Sequence, residues 1–93
     1  VSVGPVFGEL LAFQFAQWLD ALDPREPAHM VEAGAHDGRL AADVLHWLEH
    51  HRPQLWPRIT LHLVEPSARR RQWQATTLTA YAKQVRWVQN LEE

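Results

Sequence analysis

The sequence predicts an α/β protein with a parallel sheet of three strands and three helices. Three short apolar segments alternate with longer segments of helical periodicity. The predicted strands are residues 29–33, 59–65 and 85–88. The first two end in carboxylates, Glu32 and Glu65, and two glycines, Gly34 and Gly38, separate the first strand from the next helix. Glycines at such a turn are typical of a strand–loop–helix unit that holds a nucleoside ligand against bare backbone.

The three helices are predicted from apolar spacing and from residues that begin or end helices. Apolar residues recur every three or four positions before the first strand, and two prolines then end that helix. Asp37 is placed to cap the second helix, and Pro66 with Ser67 opens the third. The predicted helices span residues 6–22, 38–52 and 66–81.

The first strand is an uninterrupted apolar run, which is typical of a parallel strand covered on both faces. Right-handed crossovers put the intervening helices on one face and the second strand in the middle. Three strands are half of a doubly wound, Rossmann-like sheet. The sequence also begins at Val1 rather than at methionine. We therefore expect residues 1–93 to be a partial domain, the truncated N-terminal half of such a sheet.

The composition excludes several classes of function. The formal net charge is −2, and the basic cluster Arg69–Arg71 is too short to indicate a nucleic-acid partner. No apolar stretch approaches the length of a membrane span, so no membrane partner is expected. The sequence has no cysteine, which excludes thiolate metal sites and fits a reducing compartment. We expect a cytoplasmic protein.

The spacing of the glycines distinguishes two nucleoside cofactors. A dinucleotide fingerprint requires G-x-G-x-x-G, but a start at Gly34 puts His36 and Arg39 at the other two glycine positions. The looser pattern acid-x-G-x-x-x-G is satisfied by Glu32, Gly34 and Gly38. S-adenosylmethionine carries no phosphate and tolerates a side chain in the middle of the loop. The loop therefore favours S-adenosylmethionine.

The alternative is a purely structural role for the two glycines, one in a turn and one at a helix start. Glu65 counts against it, because the end of the next strand is where such sites hold ribose hydroxyls.

Three blocks of the sequence occur in the order found in one known family. They are Phe7-Gly8-Glu9-Leu10-Leu11, Val31-Glu32-Ala33-Gly34 with Gly38-Arg39-Leu40, and His62-Leu63-Val64-Glu65-Pro66-Ser67. They resemble the N-terminal part of the catalytic domain in the MidA-like group of class I S-adenosylmethionine-dependent methyltransferases. The resemblance implies this cofactor and, in the intact protein, methyl transfer to a protein side chain such as arginine. It implies cofactor contacts from Glu32, Gly34, Ala35, His36, Gly38, Glu65 and Pro66.

The resemblance also implies how the contacts divide. Glu32, Gly34 and Gly38 would line the methionine side, and Glu65 would hold the ribose. The family usually has a small residue, often glycine, where His36 stands. No residue is identified as a catalytic base, and methyl transfer can rely on positioning alone. We expect the intact parent to be an enzyme and the 93-residue piece to be inactive by itself.

Other patterns have simpler interpretations. His46-Trp47-Leu48-Glu49-His50 matches the H-x-x-E-H metal motif, but a third ligand is not evident and no metal is expected. The aromatic stripe of the first helix is expected to be core. The rival function is a non-catalytic α/β module that binds a partner, and an exposed sheet edge would allow self-association.

Overall fold

The computed structural model of the chain describes residues 5–21, 23 and 25–89, and these form three α-helices and a parallel sheet of three strands. The elements are α1 Pro5–Asp20, β1 Ala28–Ala33, α2 Arg39–His51, β2 Ile59–Val64, α3 Ala68–Thr77 and β3 Val85–Val88. Short 3-10 turns at Trp56–Arg58 and Thr79–Tyr81 precede β2 and β3. The predicted fold class is confirmed. No helix in the described ranges is long and apolar enough to cross a membrane.

The strand order β1-β2-β3 brings the carboxyl ends of the strands to one edge of the sheet. β2 lies in the middle and pairs in parallel with both neighbours, as the sequence predicts. In this register Ala33 is level with Val64, and Val64 is level with Val88. The loop that follows β1 and the residue that follows β2, Glu65, are therefore neighbours.

One face of the sheet carries the hydrophobic core. Side chains alternate between the faces of a strand, and the buried strand residues occupy alternate positions. These residues are Ala28, Ile59, Leu61, Leu63 and Val85. α1 and α2 contribute most of the remaining cluster, namely Ala12, Ala16, Leu19, Ala41, Val44, Leu45 and Leu48. The helices therefore cover the face on which these strand residues lie.

The opposite face of β1 is bare in the described residues, so the prediction of a strand covered on both faces is wrong for this part of the chain. His29, Val31 and Ala33 are exposed, and Val31 keeps 60% of its surface accessible. The apolar run of β1 is suited to cover on both faces, but the described helices pack on only one.

The aromatic stripe of α1 is also more exposed than its spacing predicts. The buried residues of α1 are mostly small, while five large apolar side chains are exposed. These are Val6, Phe7, Leu10, Phe13 and Trp18. α1 packs mainly on α2, and Gly8 permits a close approach there, since a Cβ at Gly8 would lie 2.5 Å from the Cβ of Asp43. A helix that is apolar on several sides needs more neighbours than α2.

The helices differ from the predicted ranges 6–22, 38–52 and 66–81 mainly at their ends, and position 22 lies outside the described residues. α2 begins after Gly38, which occupies the N-cap position, and Asp37 still accepts a hydrogen bond from the Arg39 amide at 3.0 Å. The third helix is shorter than predicted at both ends. Ser67 caps α3 through its hydroxyl, and the helix stops at Thr77, where threonine hydroxyls bond to the carbonyls of the preceding turn. Such side-chain bonds compete with helix continuation.

Candidate cofactor site

The loop between β1 and α2 has an unusual backbone. Gly34, His36 and Gly38 all have positive φ, at 72°, 61° and 87°. The amide of Gly38 donates to the carbonyl of Ala35 at 2.9 Å and closes a turn. A Cβ at Gly34 would have no other atom within 4 Å. The glycine backbone is therefore open to a ligand on that side.

His36 occupies a left-handed conformation that favours glycine. A glycine, which the resemblance implies at this position, would adopt this conformation without strain. The His36 side chain is exposed, and its ring lies 6.1 Å from that of Trp73 in an edge arrangement. The backbone carbonyl of His36 accepts a hydrogen bond from the side chain of Gln74 at 2.9 Å.

Glu65 is buried at the end of β2, with only 3% of its surface exposed. One carboxylate oxygen accepts from the Ser67 amide at 3.1 Å, and the other accepts from Gln74 Nε2 at 3.0 Å. The Ser67 hydrogen bond is the main cause that lowers the pKa of Glu65, and the Gln74 bond and the charges of Arg70 and Arg71 act in the same direction. Burial opposes them without reversing the shift. The carboxylate is therefore ionised at neutral pH.

Glu32 has a different environment from Glu65. It is half-buried near the end of β1, and burial raises its pKa. It lines a cavity of about 350 Å³ between α1, α2 and β1, with apolar neighbours such as Phe15, Met30 and Leu40. Its side chain therefore faces the helices, on the side of the sheet that carries the core.

Gln74 joins three parts of the site and was not predicted from the sequence. Its side chain is fully buried. Nε2 donates to the carbonyl of His36 and to Glu65, and Oε1 accepts from the indole Nε1 of Trp87 at 3.0 Å. The sequence did hold a signal, because Gln74 precedes the apolar Leu78 by one helical turn and so shares its buried side.

Six of the seven predicted contact residues lie near one another, and the seventh, Glu32, lies apart from them. Most belong to the loop after β1 or to the start of the segment after β2, and Gln74 links these two segments. Among them, the exposed ones are Gly34, His36 and Pro66, and the buried ones are Ala35, Gly38 and Glu65. Glu32 stands apart, because it lines the apolar cavity.

The H-x-x-E-H segment lies on α2, away from this site. His46 Nδ1 is 3.2 Å from the Tyr81 hydroxyl, and His50 Nδ1 is 2.9 Å from the His46 carbonyl oxygen. No group of three or more potential metal ligands occurs within residues 5–21, 23 and 25–89. His46 thus contacts a residue distant in sequence, and His50 contacts the preceding helical turn.

A comparison with protein families identifies the chain. Residues 10–93 match the family described as "Putative S-adenosyl-L-methionine-dependent methyltransferase". The chain belongs to this family. The family predicted from the sequence blocks is thus confirmed at the level of S-adenosylmethionine-dependent methyltransferases. A search of curated proteins finds no match.

A solved structure is similar in both fold and sequence. It is a "likely methyl transferase" from Burkholderia thailandensis bound to S-adenosyl-homocysteine, 29% identical to this chain with a TM-score of 0.67. The match covers 95% of this chain and 22% of that protein. The chain therefore spans about a fifth of the length of that protein.

Proposed function

We propose that the chain is the S-adenosylmethionine-binding portion of a methyltransferase. The cofactor, or its product S-adenosylhomocysteine, would lie beyond the carboxyl ends of β1 and β2. The observation that carries this proposal is the ionised carboxylate of Glu65 beside an open glycine loop. Family membership and the product bound to the similar structure support the same ligand.

The residues present fit this cofactor. The open space at Gly34 leaves room for the methionine part to approach the backbone. Each oxygen of Glu65 accepts one hydrogen bond from the protein, and a carboxylate oxygen has a second lone pair. These second lone pairs can accept the two ribose hydroxyls. The glycine loop and Glu65 would thus hold the methionine part and the ribose of one ligand.

The cofactor supplies the activated methyl group, and the chain's own residues bind and orient it. The proposal assigns no catalytic base, because correct placement of donor and acceptor can account for the rate. The resemblance to MidA-like enzymes extends the proposal to a protein side chain, arginine, as acceptor of the whole protein. Transfer of labelled methyl groups to arginine in a protein substrate, followed by amino-acid analysis, tests that extension.

Titration of the chain with S-adenosylhomocysteine, followed by amide chemical shifts, tests the binding proposal. We expect Glu65→Ala to weaken binding by about ten-fold or more, because a charge-assisted pair of hydrogen bonds is lost. Glu49→Ala on α2 is the matched control and should leave the dissociation constant unchanged. Equal effects of the two substitutions, or none from Glu65→Ala in a folded chain, would contradict the assignment.

A second candidate function is association with another copy of the chain. β1 is an edge strand of the described sheet, and its open face carries the exposed Val31. The exposed apolar residues of α1 add to this surface. An unprotected edge beside apolar surface favours pairing with another strand. We propose that two copies pair through their β1 edges.

A further inference from the structure

We propose that Gln74 is a positioning residue for the cofactor: its amide fixes the carboxylate of Glu65 against the glycine loop before the ligand arrives. This inference rests on the proposed function. It assigns a role to a residue outside the glycine loop and outside the strand-end carboxylates. Three hydrogen bonds carry it.

The first step is the bridge between two strand ends. Gln74 Nε2 donates to the His36 carbonyl at 2.9 Å and to a Glu65 oxygen at 3.0 Å. Both hydrogens of one amide group are thereby used, one on the loop after β1 and one on the carboxylate after β2. Gln74 is fully buried, so water does not compete for these bonds. A single side chain therefore bridges the loop and the carboxylate.

The second step is the orientation of that side chain. An amide could turn over and present its oxygen to Glu65, which would set two acceptors against each other. The indole Nε1 of Trp87 prevents this, because it is only a donor and lies 3.0 Å from Gln74 Oε1. Trp87 therefore selects the orientation in which the NH₂ group faces Glu65 and His36.

The third step is electrostatic. The carboxylate of Glu65 is buried, and an ionised group in that place requires donors. The Ser67 amide supplies one and Gln74 the other, while Arg70 and Arg71 on α3 contribute favourable charge. One lone pair on each oxygen is thereby left for the ribose. Preorganisation of this kind lowers the cost of binding.

Substitutions of Gln74 that keep its shape test the proposal. Gln74→Glu places a carboxyl group beside Glu65, and at neutral pH the two negative charges repel each other. We expect S-adenosylhomocysteine to bind this variant about ten-fold or more weakly at pH 7. As the pH falls and the introduced carboxyl group takes up a proton, it can donate to Glu65, so affinity should recover. Gln74→Leu, which cannot donate a hydrogen bond at any pH, should bind weakly without such recovery.

A second readout does not depend on the cofactor. Carboxyl NMR titration of the free chain should show the Glu65 pKa rising in Gln74→Leu and, by a smaller amount, in Trp87→Phe. Gln72→Glu, at an exposed position of the same helix, is the matched control and should change neither the Glu65 pKa nor the affinity. Circular dichroism establishes that each variant is folded, and Trp87→Phe serves if Gln74→Leu does not fold.

The outcomes separate the two proposals. An unchanged Glu65 pKa in folded Gln74→Leu or Trp87→Phe, or pH-independent binding by Gln74→Glu, overturns the role of Gln74. A wild-type chain that does not bind S-adenosylhomocysteine, but in which these substitutions shift the Glu65 pKa, overturns the proposed function and retains the bridge.

Discussion

Glu32 and Glu65 end adjacent strands, yet their carboxyl groups are in opposite electrostatic environments. The sequence predicts both as cofactor contacts, since each is a carboxylate at a strand end. Glu65 has donors because α3 begins immediately after it and turns the Ser67 amide towards it. Glu32 faces apolar side chains of α1 and α2, and burial raises its pKa. A sequence shows which carboxyl groups lie at strand ends. The groups that favour or disfavour their ionisation depend on how the helices pack around them.

Glu32→Gln should stabilise the chain at neutral pH. The folded pKa of Glu32 is raised above its ordinary value of 4.5, so the folded state disfavours the ionised form. The free energy of unfolding should therefore fall as pH rises through the folded pKa. Glutamine does not ionise, so the variant keeps its free energy of unfolding as pH rises. Its higher stability relative to the wild type should vanish below about pH 4.

Urea denaturation at pH 7 and at pH 4 measures the difference, with exposed Glu26→Gln as control. An advantage of Glu32→Gln that is the same at both pH values would contradict this account. Glu65 has the opposite sign, because its pKa is lowered and its contribution is lost as pH falls through that value.

The left-handed backbone of His36 makes a second prediction at this scale. Glycine relieves steric strain at positive φ but loses more chain entropy on folding, and the two effects nearly cancel. A β-branched residue is sterically strained at positive φ and has none of glycine's freedom. His36→Gly should therefore be more stable than His36→Val by about 1–2 kcal/mol in chemical denaturation. Both variants lose the contact with Trp73, so equal stabilities would argue against backbone strain at this position.

Among the elements, strand positions were easier to predict than helix ends or helix burial. β3 spans Val85–Val88, the same residues that the sequence predicts as a strand. The third helix is shorter than predicted at both ends, because Ser67 is its cap and a 3-10 turn at Thr79–Tyr81 follows it. The burial of α1 could not be predicted, because it depends on how many elements surround the helix. Gly8 lies in the first of the sequence blocks that resemble the family. The structure explains it, because α1 approaches Asp43 of α2 too closely for a Cβ.

Gly8→Ala should destabilise the contact between α1 and α2. The new Cβ would lie 2.5 Å from the Cβ of Asp43, which is too near the backbone to move aside freely. We expect a loss of about 1–3 kcal/mol in the free energy of unfolding, as for other overpacked sites. Gln17→Ala, at an exposed position of α1, is the control and should change stability little. A stable Gly8→Ala variant would show that the helices can separate at no cost.

For the whole molecule, chain order and handedness were sufficient to predict the sheet. Right-handed crossovers allow one arrangement of three parallel strands with helices on a common face, and that arrangement is observed. The exposed edge of β1 was expected for a partial sheet, but the exposed face of β1 was not predictable from its apolar pattern. The apolar residues of β1 suit a strand that is buried on both faces, but they do not show which other elements bury it.

Self-association is the prediction at this scale. Light scattering should show a rise in average mass with concentration in the micromolar range, as β1 edges pair between copies. Val31→Lys places a charge on the open face beside that edge and should shift the chain towards the monomer. Gln89→Lys, an exposed position just after β3, adds the same charge without touching β1. A monomeric wild-type chain that unfolds cooperatively at high micromolar concentration would rule out this association.

The hydrogen bond from Trp87 to Gln74 has a consequence for how small a functional piece of this protein can be. A βαβ segment ending at Glu65 would contain both the glycine loop and the carboxylate proposed to bind the ribose, the two features by which such sites are usually defined. It would lack both the Gln74 amide that bridges them and the Trp87 indole that orients this amide. If Gln74 positions the cofactor as proposed, we expect the shortest piece that binds it to include α3 and β3 as well as the glycine loop and Glu65.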